Sequence, residues 1–148
     1  MRGDRVQGTG DSGRNADGQG EGGTLLRWIP ALLWAGAIFF LSSQSRLPEP
    51  PGILGWDKLQ HCLGYGAGGF LIARATGVRG RGTLLAIVIG SLYGASDELH
   101  QWFVPGRNCD VLDWVADTLG VVIGAFIHRT LLLRRGRAAA GAVEFRAT

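Results

Sequence analysis

Apolar residues occur in four stretches along the chain, and each stretch is about as long as a membrane span. The stretches cover residues 25–43, 59–76, 83–103 and 111–133. A helix rises about 1.5 Å per residue, so about 20 residues cross the roughly 30 Å of membrane hydrocarbon. Much of each stretch is apolar on every face, which is typical of helices surrounded by lipid. The pattern therefore predicts an all-α polytopic membrane protein, a compact bundle of four transmembrane helices.

Small residues spaced four apart support close packing of these helices. Three stretches contain a Gly-x-x-x-Gly pair, and the first contains the equivalent alanine pair. The pairs are Gly64 and Gly68, Gly90 and Gly94, Gly120 and Gly124, and Ala31 and Ala35. Residues four apart share one helix face, and small side chains there let backbones approach closely within lipid.

Composition divides the chain into three parts. Residues 1–23 are polar and rich in glycine, which predicts a disordered tail, because the segment has too little apolar surface to offset the entropy of ordering. Residues 24–133 form the predicted four-helix membrane domain, and residues 134–148 a basic, loosely ordered C-terminal tail. Two cysteines cannot supply a disulfide scaffold, and the apolar middle argues against a soluble enzyme.

The basic residues near the helix ends predict the orientation. Seven lie on the side of the two termini and three on the other side, which places both termini in the cytoplasm by the positive-inside rule. The seven are Arg14, Arg27, Arg79, Arg81, Arg134, Arg135 and Arg137, and the three are Arg46, Lys58 and Arg107.

Ionisable residues collect at the outward ends of three predicted helices. Asp57 and His61 share a face at the start of the second helix, and Asp113 and Asp117 share one in the fourth. Glu98 lies near the end of the third helix. Charged groups are costly in a membrane, so several at one depth are expected to face each other or a wet cavity.

At these residues the sequence resembles the VanZ-like family of small bacterial integral membrane proteins. The resemblance covers about residues 34–126. It rests on Ser42-Ser43-Gln44, Asp57-Lys58-x-x-His61, Asp97-Glu98-x-x-Gln101, Val104-Pro105-Gly106-Arg107 and Asp113. The family usually carries Asn at the position of Asp117 and often a small hydroxyl residue at that of Asp110. The resemblance implies a multi-pass protein of the bacterial inner membrane, with a link to glycopeptide (teicoplanin) susceptibility.

The leading functional hypothesis is an outward-facing site for an anionic lipid headgroup or another envelope-related ligand, such as a lipid-linked cell-wall precursor. Lys58 and Arg107 would hold the anionic group, while His61 and Glu98 would transfer protons if the ligand is also processed. The remaining predicted ligand-binding residues are Asp57, Gln101, Asp113 and Asp117. Membrane lipids are the expected partners.

Two alternatives stay open. In the first, the protein is a non-catalytic structural or partner-binding component whose charges only lock the helices, through pairs such as Glu98 with Arg107 or His61 with Asp113. Asp57, Asp110 and Asp113 would then act at helix N-termini, where carboxylates are favourable. In the second, His61, Glu98 and Asp117 form the proton path of a small transporter.

Other chemistry has little support in the sequence. His61, Cys62, Glu98, His100 and Cys109 are candidate metal ligands, but they lack recognised metal-ligand spacing, so no metal and no cofactor are predicted. Cys62 and Cys109 could form a disulfide on the outward side. No phosphate-binding loop or nucleophile elbow is present, and the scattered basic residues do not indicate nucleic-acid binding.

Overall fold

The computed structural model describes residues 18–45, 55–77 and 81–147, and these residues form four helices without a strand. The helices are α1 (Gly18–Ser42), α2 (Trp56–Thr76), α3 (Arg81–Gln101) and α4 (Val111–Ala147). The prediction of an all-α chain with four helices is confirmed.

Two helices extend further than the hydrophobic pattern indicates. Helix α1 begins at Gly18, so residues 18–23 of the predicted disordered tail are helical, and residues 1–17 lie outside the described part. Helix α4 continues past Leu133 to Ala147, where a loose tail was predicted. Each added residue of an existing helix gains a backbone hydrogen bond, and the alanines and arginines after Leu133 are good helix formers.

Helix α2 packs against all three other helices, and its largest contact is with α4. Helix α3 lies against both α2 and α4, whereas α1 packs on α2 and only lightly on α3. The apolar core is made of small side chains together with Ile72, including Ala73, Ala86 and Ala125, all buried. Close approach of backbones therefore replaces large apolar side chains in holding the bundle together.

Glycines make this close approach feasible, as the spaced pairs predicted. A Cβ atom added at Gly120 would collide with the carbonyl of Cys62, and one at Gly124 with that of Gly66. On α3, a Cβ at Gly90 would lie 2.7 Å from the side chain of Val121 on α4. Two glycine pairs thus mark the faces at which α4 meets α2 and α3.

The bundle is apolar outside and polar inside at one end. Large apolar side chains are widely exposed, including Phe40 at 66%, Leu63 at 65% and Leu92 at 67%. Asp97, Glu98 and Asp117 are buried at the same time. This distribution is the reverse of that in a water-soluble bundle, in which apolar side chains fill the core.

Two of the helices are long and apolar enough to cross a membrane, with the spans Leu25–Ser42 and Val111–Ala142. Helices α2 and α3 do not meet that criterion, although four spans were predicted. Both contain glycines and ionisable side chains that lower their mean hydropathy. At 21 residues each, they are still about 31 Å long.

Candidate functional site

The ionisable residues meet at one end of the bundle, here called the polar end. It consists of the C-terminal ends of α1 and α3, the N-terminal ends of α2 and α4, and residues 102–110, which connect α3 to α4. The helices alternate in direction, so residues far apart in sequence reach the same level.

Lys58 is the most heavily paired cation of the polar end. Its Nζ donates to Asp57 Oδ2 at 2.8 Å, to Asp110 Oδ2 at 2.9 Å and to Asp113 Oδ1 at 2.7 Å. All three donors of the ammonium group therefore have a carboxylate partner. Lys58 links α2 to the start of α4, and its charge is compensated within the chain.

Asp110 connects the loop to the start of α4. Its Oδ1 accepts the Leu112 N–H at 2.9 Å, as the predicted helix-capping role requires. This hydrogen bond and the one from Lys58 lower the pKa of the Asp110 carboxyl below its usual range. The N–H of Asp110 in turn donates to Glu98 Oε2 at 2.9 Å, which ties α3 to the same turn.

His61 and Asp117 form the deepest polar contact between α2 and α4. His61 Nδ1 lies 2.9 Å from Asp117 Oδ1, and the Asp117 side chain is fully buried. Gly94 of α3 leaves the room for it, since a Cβ there would lie 3.0 Å from the Cβ of Asp117.

A second buried carboxylate, Asp97, joins α1 to α3. Its Oδ2 accepts the Ser42 hydroxyl at 2.8 Å and the Gln101 side-chain amide at 3.4 Å. Gln101, a predicted ligand-binding residue, is 2% exposed and bonded to its own helix. Asp97 and Ser42 were not among the predicted site residues, although both belong to the motifs that carry the family resemblance.

Arg107 differs from Lys58 in its surroundings. It is half-buried, and its Nε has no hydrogen-bond partner among the described residues. Arg107 and His61 together line two cavities, of about 270 Å³ and about 240 Å³. The first has apolar walls from residues such as Ile38 and Leu41, whereas the second is bordered by Asp110 and Asp113.

Three expected structural contacts differ from those observed in the described part of the chain. Glu98 binds the Asp110 N–H rather than Arg107, and His61 binds Asp117 rather than Asp113. Asp113 lies about one helical turn before Asp117, and it pairs with Lys58 instead. Asp57 makes no capping bond at the start of α2, where Gly55 occupies the N-cap position, and its carboxylate accepts the Lys58 ammonium instead.

The residues that could together bind a metal ion also differ from the candidate ligands named from the sequence. Single donor atoms of His61, Glu98 and Asp117 lie within 4.8 Å of one another. His100 is directed elsewhere, with Nε2 3.1 Å from Ser43 Oγ and its ring stacked on Phe39. Cys62 and Cys109 are free thiols, so the disulfide option is not realised.

The opposite end of the bundle has a different character. A cavity of about 400 Å³ there is bordered by basic residues of α1, α2 and α4 together with apolar side chains. The basic residues are Arg27, Arg74, His128 and Arg135. His128 is buried against the edge of Phe70, with 5.1 Å between the ring centroids. The two ends thus differ in charge, one being rich in carboxylates and the other in arginine.

These features define a small helical bundle with an apolar exterior and a buried network of acids and bases at one end. The VanZ/LLP1 family model matches residues 27–133, and the chain belongs to this VanZ-like family. The match includes every residue of the polar end. No curated protein and no solved structure matches the chain.

Proposed function

We propose that the protein is a multi-pass component of the bacterial inner membrane, with all four helices spanning the bilayer and both termini in the cytoplasm. The exposed apolar side chains would face lipid, and the roughly 31 Å length of α2 and α3 suits its hydrocarbon thickness. The arginine-rich end would lie in the cytoplasm and the polar end would face outward.

We further propose that the polar end binds an envelope-related ligand through an anionic group held by Arg107. The observation that carries this proposal is the contrast between the two cations. Lys58 is bonded to three carboxylates, whereas Arg107 borders both cavities and forms no ion pair with any of the described residues. A guanidinium group can bind a phosphate or carboxylate with two parallel hydrogen bonds. Lys58 would then position the acids of the site rather than contact the ligand.

The carboxylates of the polar end limit which ligands fit. Among the described residues they outnumber the cations, so a ligand that carries an amine as well as an anionic group is better matched than a simple anion. The six carboxylates belong to Asp57, Asp97, Glu98, Asp110, Asp113 and Asp117. A lipid-linked cell-wall precursor with an amine-bearing peptide has this chemistry. Binding such a ligand at the outer leaflet is our proposed route to an effect on glycopeptide (teicoplanin) susceptibility.

His61 and Glu98 are the residues proposed to transfer protons if the ligand is processed. His61 borders both cavities together with Arg107. Glu98 does not border them, but one of its carboxylate oxygens lies within 4.8 Å of donor atoms of His61 and Asp117. Asp57 and Asp113 would border the bound group, and Gln101 and Asp117 would support the buried side.

The proposal is tested by lipid retention. Wild-type protein and the Arg107→Ala variant are extracted into native lipid discs, and co-purifying lipids are identified by mass spectrometry. Arg81→Ala is the matched control, because Arg81 is exposed at the first residue of α3, at the opposite end. Loss of one lipid class in Arg107→Ala alone, at normal abundance, supports ligand binding. An unchanged lipid profile contradicts it.

A second candidate function is structural, and the bonds of Lys58 and Asp97 favour it. Lys58 joins α2 to the start of α4, and Asp97 joins α3 to Ser42 on α1. In this case the polar end would lock the helices or present a surface to another membrane protein. Arg107→Ala would then lower the abundance of the protein in the membrane before it changed any bound lipid.

A further inference from the structure

Two buried carboxylates and one half-buried histidine, drawn from three helices, converge within the polar end. His61 of α2, Glu98 of α3 and Asp117 of α4 each offer one donor atom, and these atoms lie within 4.8 Å of one another. We propose that this trio binds a divalent transition-metal ion, Zn²⁺ or Mn²⁺. Imidazole nitrogen together with carboxylate oxygen is a donor set that suits both ions.

Unpartnered oxygen atoms give independent support for a cation. Glu98 Oε1 and Asp117 Oδ2 are both buried, and neither has a hydrogen-bond partner among the described residues. The other oxygen of each carboxylate is used, by the Asp110 N–H and by His61 respectively. Glu98 is 4% exposed and Asp117 is fully buried. A buried carboxylate oxygen without a partner is costly, and a metal ion would supply the missing interaction.

The charge around the trio also favours a cation. Asp97 is buried in the same layer, and its described partners are the uncharged Ser42 and Gln101. Lys58 is already shared among three other carboxylates. His61 is thus the one basic side chain that the described structure brings against Glu98 and Asp117, and a divalent ion would offset the remaining negative charge.

The trio leaves coordination positions open. Three protein ligands with a further position for water or substrate are typical of catalytic rather than structural zinc sites. His61 borders both cavities next to Arg107, so a ligand reaching Arg107 would also approach the ion. The metal site does not depend on headgroup binding, and it is tested without any lipid ligand.

The test measures metal retention by the full-length protein in lipid nanodiscs. The protein is stripped with EDTA, equilibrated with equimolar Zn²⁺ or Mn²⁺ in excess Mg²⁺, desalted and analysed for bound metal by mass spectrometry. We expect about one retained ion per chain in the wild type, and about one ion per ten chains or fewer in His61→Gln and Asp117→Asn, since changes even beyond the direct ligands lower metal affinity by about 10–100-fold. His100→Gln should bind like the wild type, because His100 is bonded to Ser43 outside the trio.

If a variant fails to fold, X-ray absorption spectroscopy of the metal-loaded wild type tests the site, because it identifies the atoms that coordinate the ion. A first shell of one imidazole with oxygen ligands, and without sulfur, supports the site. A shell without imidazole, a sulfur ligand from Cys62, or retention no greater than in Asp117→Asn overturns it. If only Arg107→Ala changes the bound lipids while the chain holds no metal, the metal proposal fails and headgroup binding stands.

Discussion

The hydrogen bond between His61 and Asp117, 2.9 Å from Nδ1 to Oδ1, joins α2 to the fully buried Asp117 side chain of α4. It lies beside Gly94, whose missing side chain leaves the room for Asp117. The contact therefore combines a polar bond with close helix packing. The hydrogen bond depends on the close packing, since helices held further apart could not form it.

Asp117→Ala should destabilise the protein far more than Asp117→Asn. Removing one partner of a buried hydrogen bond costs about 1–3 kcal/mol, and more where a charged group is involved, because the remaining group is left without its partner. Asparagine keeps the size of the side chain and an oxygen that accepts a hydrogen bond from His61. Thermal unfolding in detergent should show a large loss for Ala and a small change for Asn.

The contact between α2 and α4 gives a second prediction. In Gly124→Ala, the new methyl group would collide with the backbone carbonyl of Gly66, which cannot rotate away. The helices would have to separate, and we expect a loss of more than about 2 kcal/mol in the free energy of unfolding. The readout is the fraction of folded protein in detergent against temperature.

Gly136→Ala is the matched control for this substitution. Gly136 is in the same helix, and a Cβ there would meet nothing within 4 Å. Alanine is the better helix former by about 1 kcal/mol, so the control should be neutral or slightly stabilising. Equal losses in both variants would contradict the prediction, because the loss could not then be assigned to the contact between Gly124 and Gly66.

The spacing of small and apolar residues was sufficient to predict four helices and the close packing of α4. Each Gly-x-x-x-Gly pair places two small residues on one face, whatever the partner helix is. The end of α4 could not be predicted in this way, because the alanines and arginines after Leu133 continue the helix without continuing the apolar pattern.

The rise per residue of a helix was sufficient to predict that the ionisable groups lie at one level of the bundle. It did not predict which of these groups are bonded to each other. Asp113 and Asp117 share a face of α4 one turn apart, and only the axial position of α2 decides which of them meets His61. The loop residue Asp110 also reaches Lys58, and no helical periodicity describes that contact. Three-dimensional placement was needed to show that Lys58 is paired while Arg107 borders the cavities.

A third prediction concerns this pairing of Lys58. Lys58→Met leaves Asp113, whose side chain is only 11% exposed, without its partner at 2.7 Å. We expect a loss of about 1–3 kcal/mol in the free energy of unfolding, less than for a fully buried pair because Lys58 remains partly exposed. Thermal unfolding in detergent and abundance in the membrane would both report the loss.

The double variant Lys58→Met with Asp113→Asn separates charge from packing. If the uncompensated carboxylate causes the loss, removing its charge should restore much of the stability. Lys58→Arg, which keeps the positive charge, serves as the control. Additive losses in the double variant would mean that Lys58 and Asp113 do not stabilise each other.

The two native cysteines provide a test of the proposed orientation. Cys109 is exposed in the loop that follows α3, at the polar end, whereas Cys62 is half-buried in α2. A membrane-impermeant maleimide added to intact spheroplasts should therefore label the wild type and Cys62→Ser, but not Cys109→Ser. Labelling of Cys109 only after the membrane is permeabilised would place the polar end in the cytoplasm and exclude an outer-leaflet ligand.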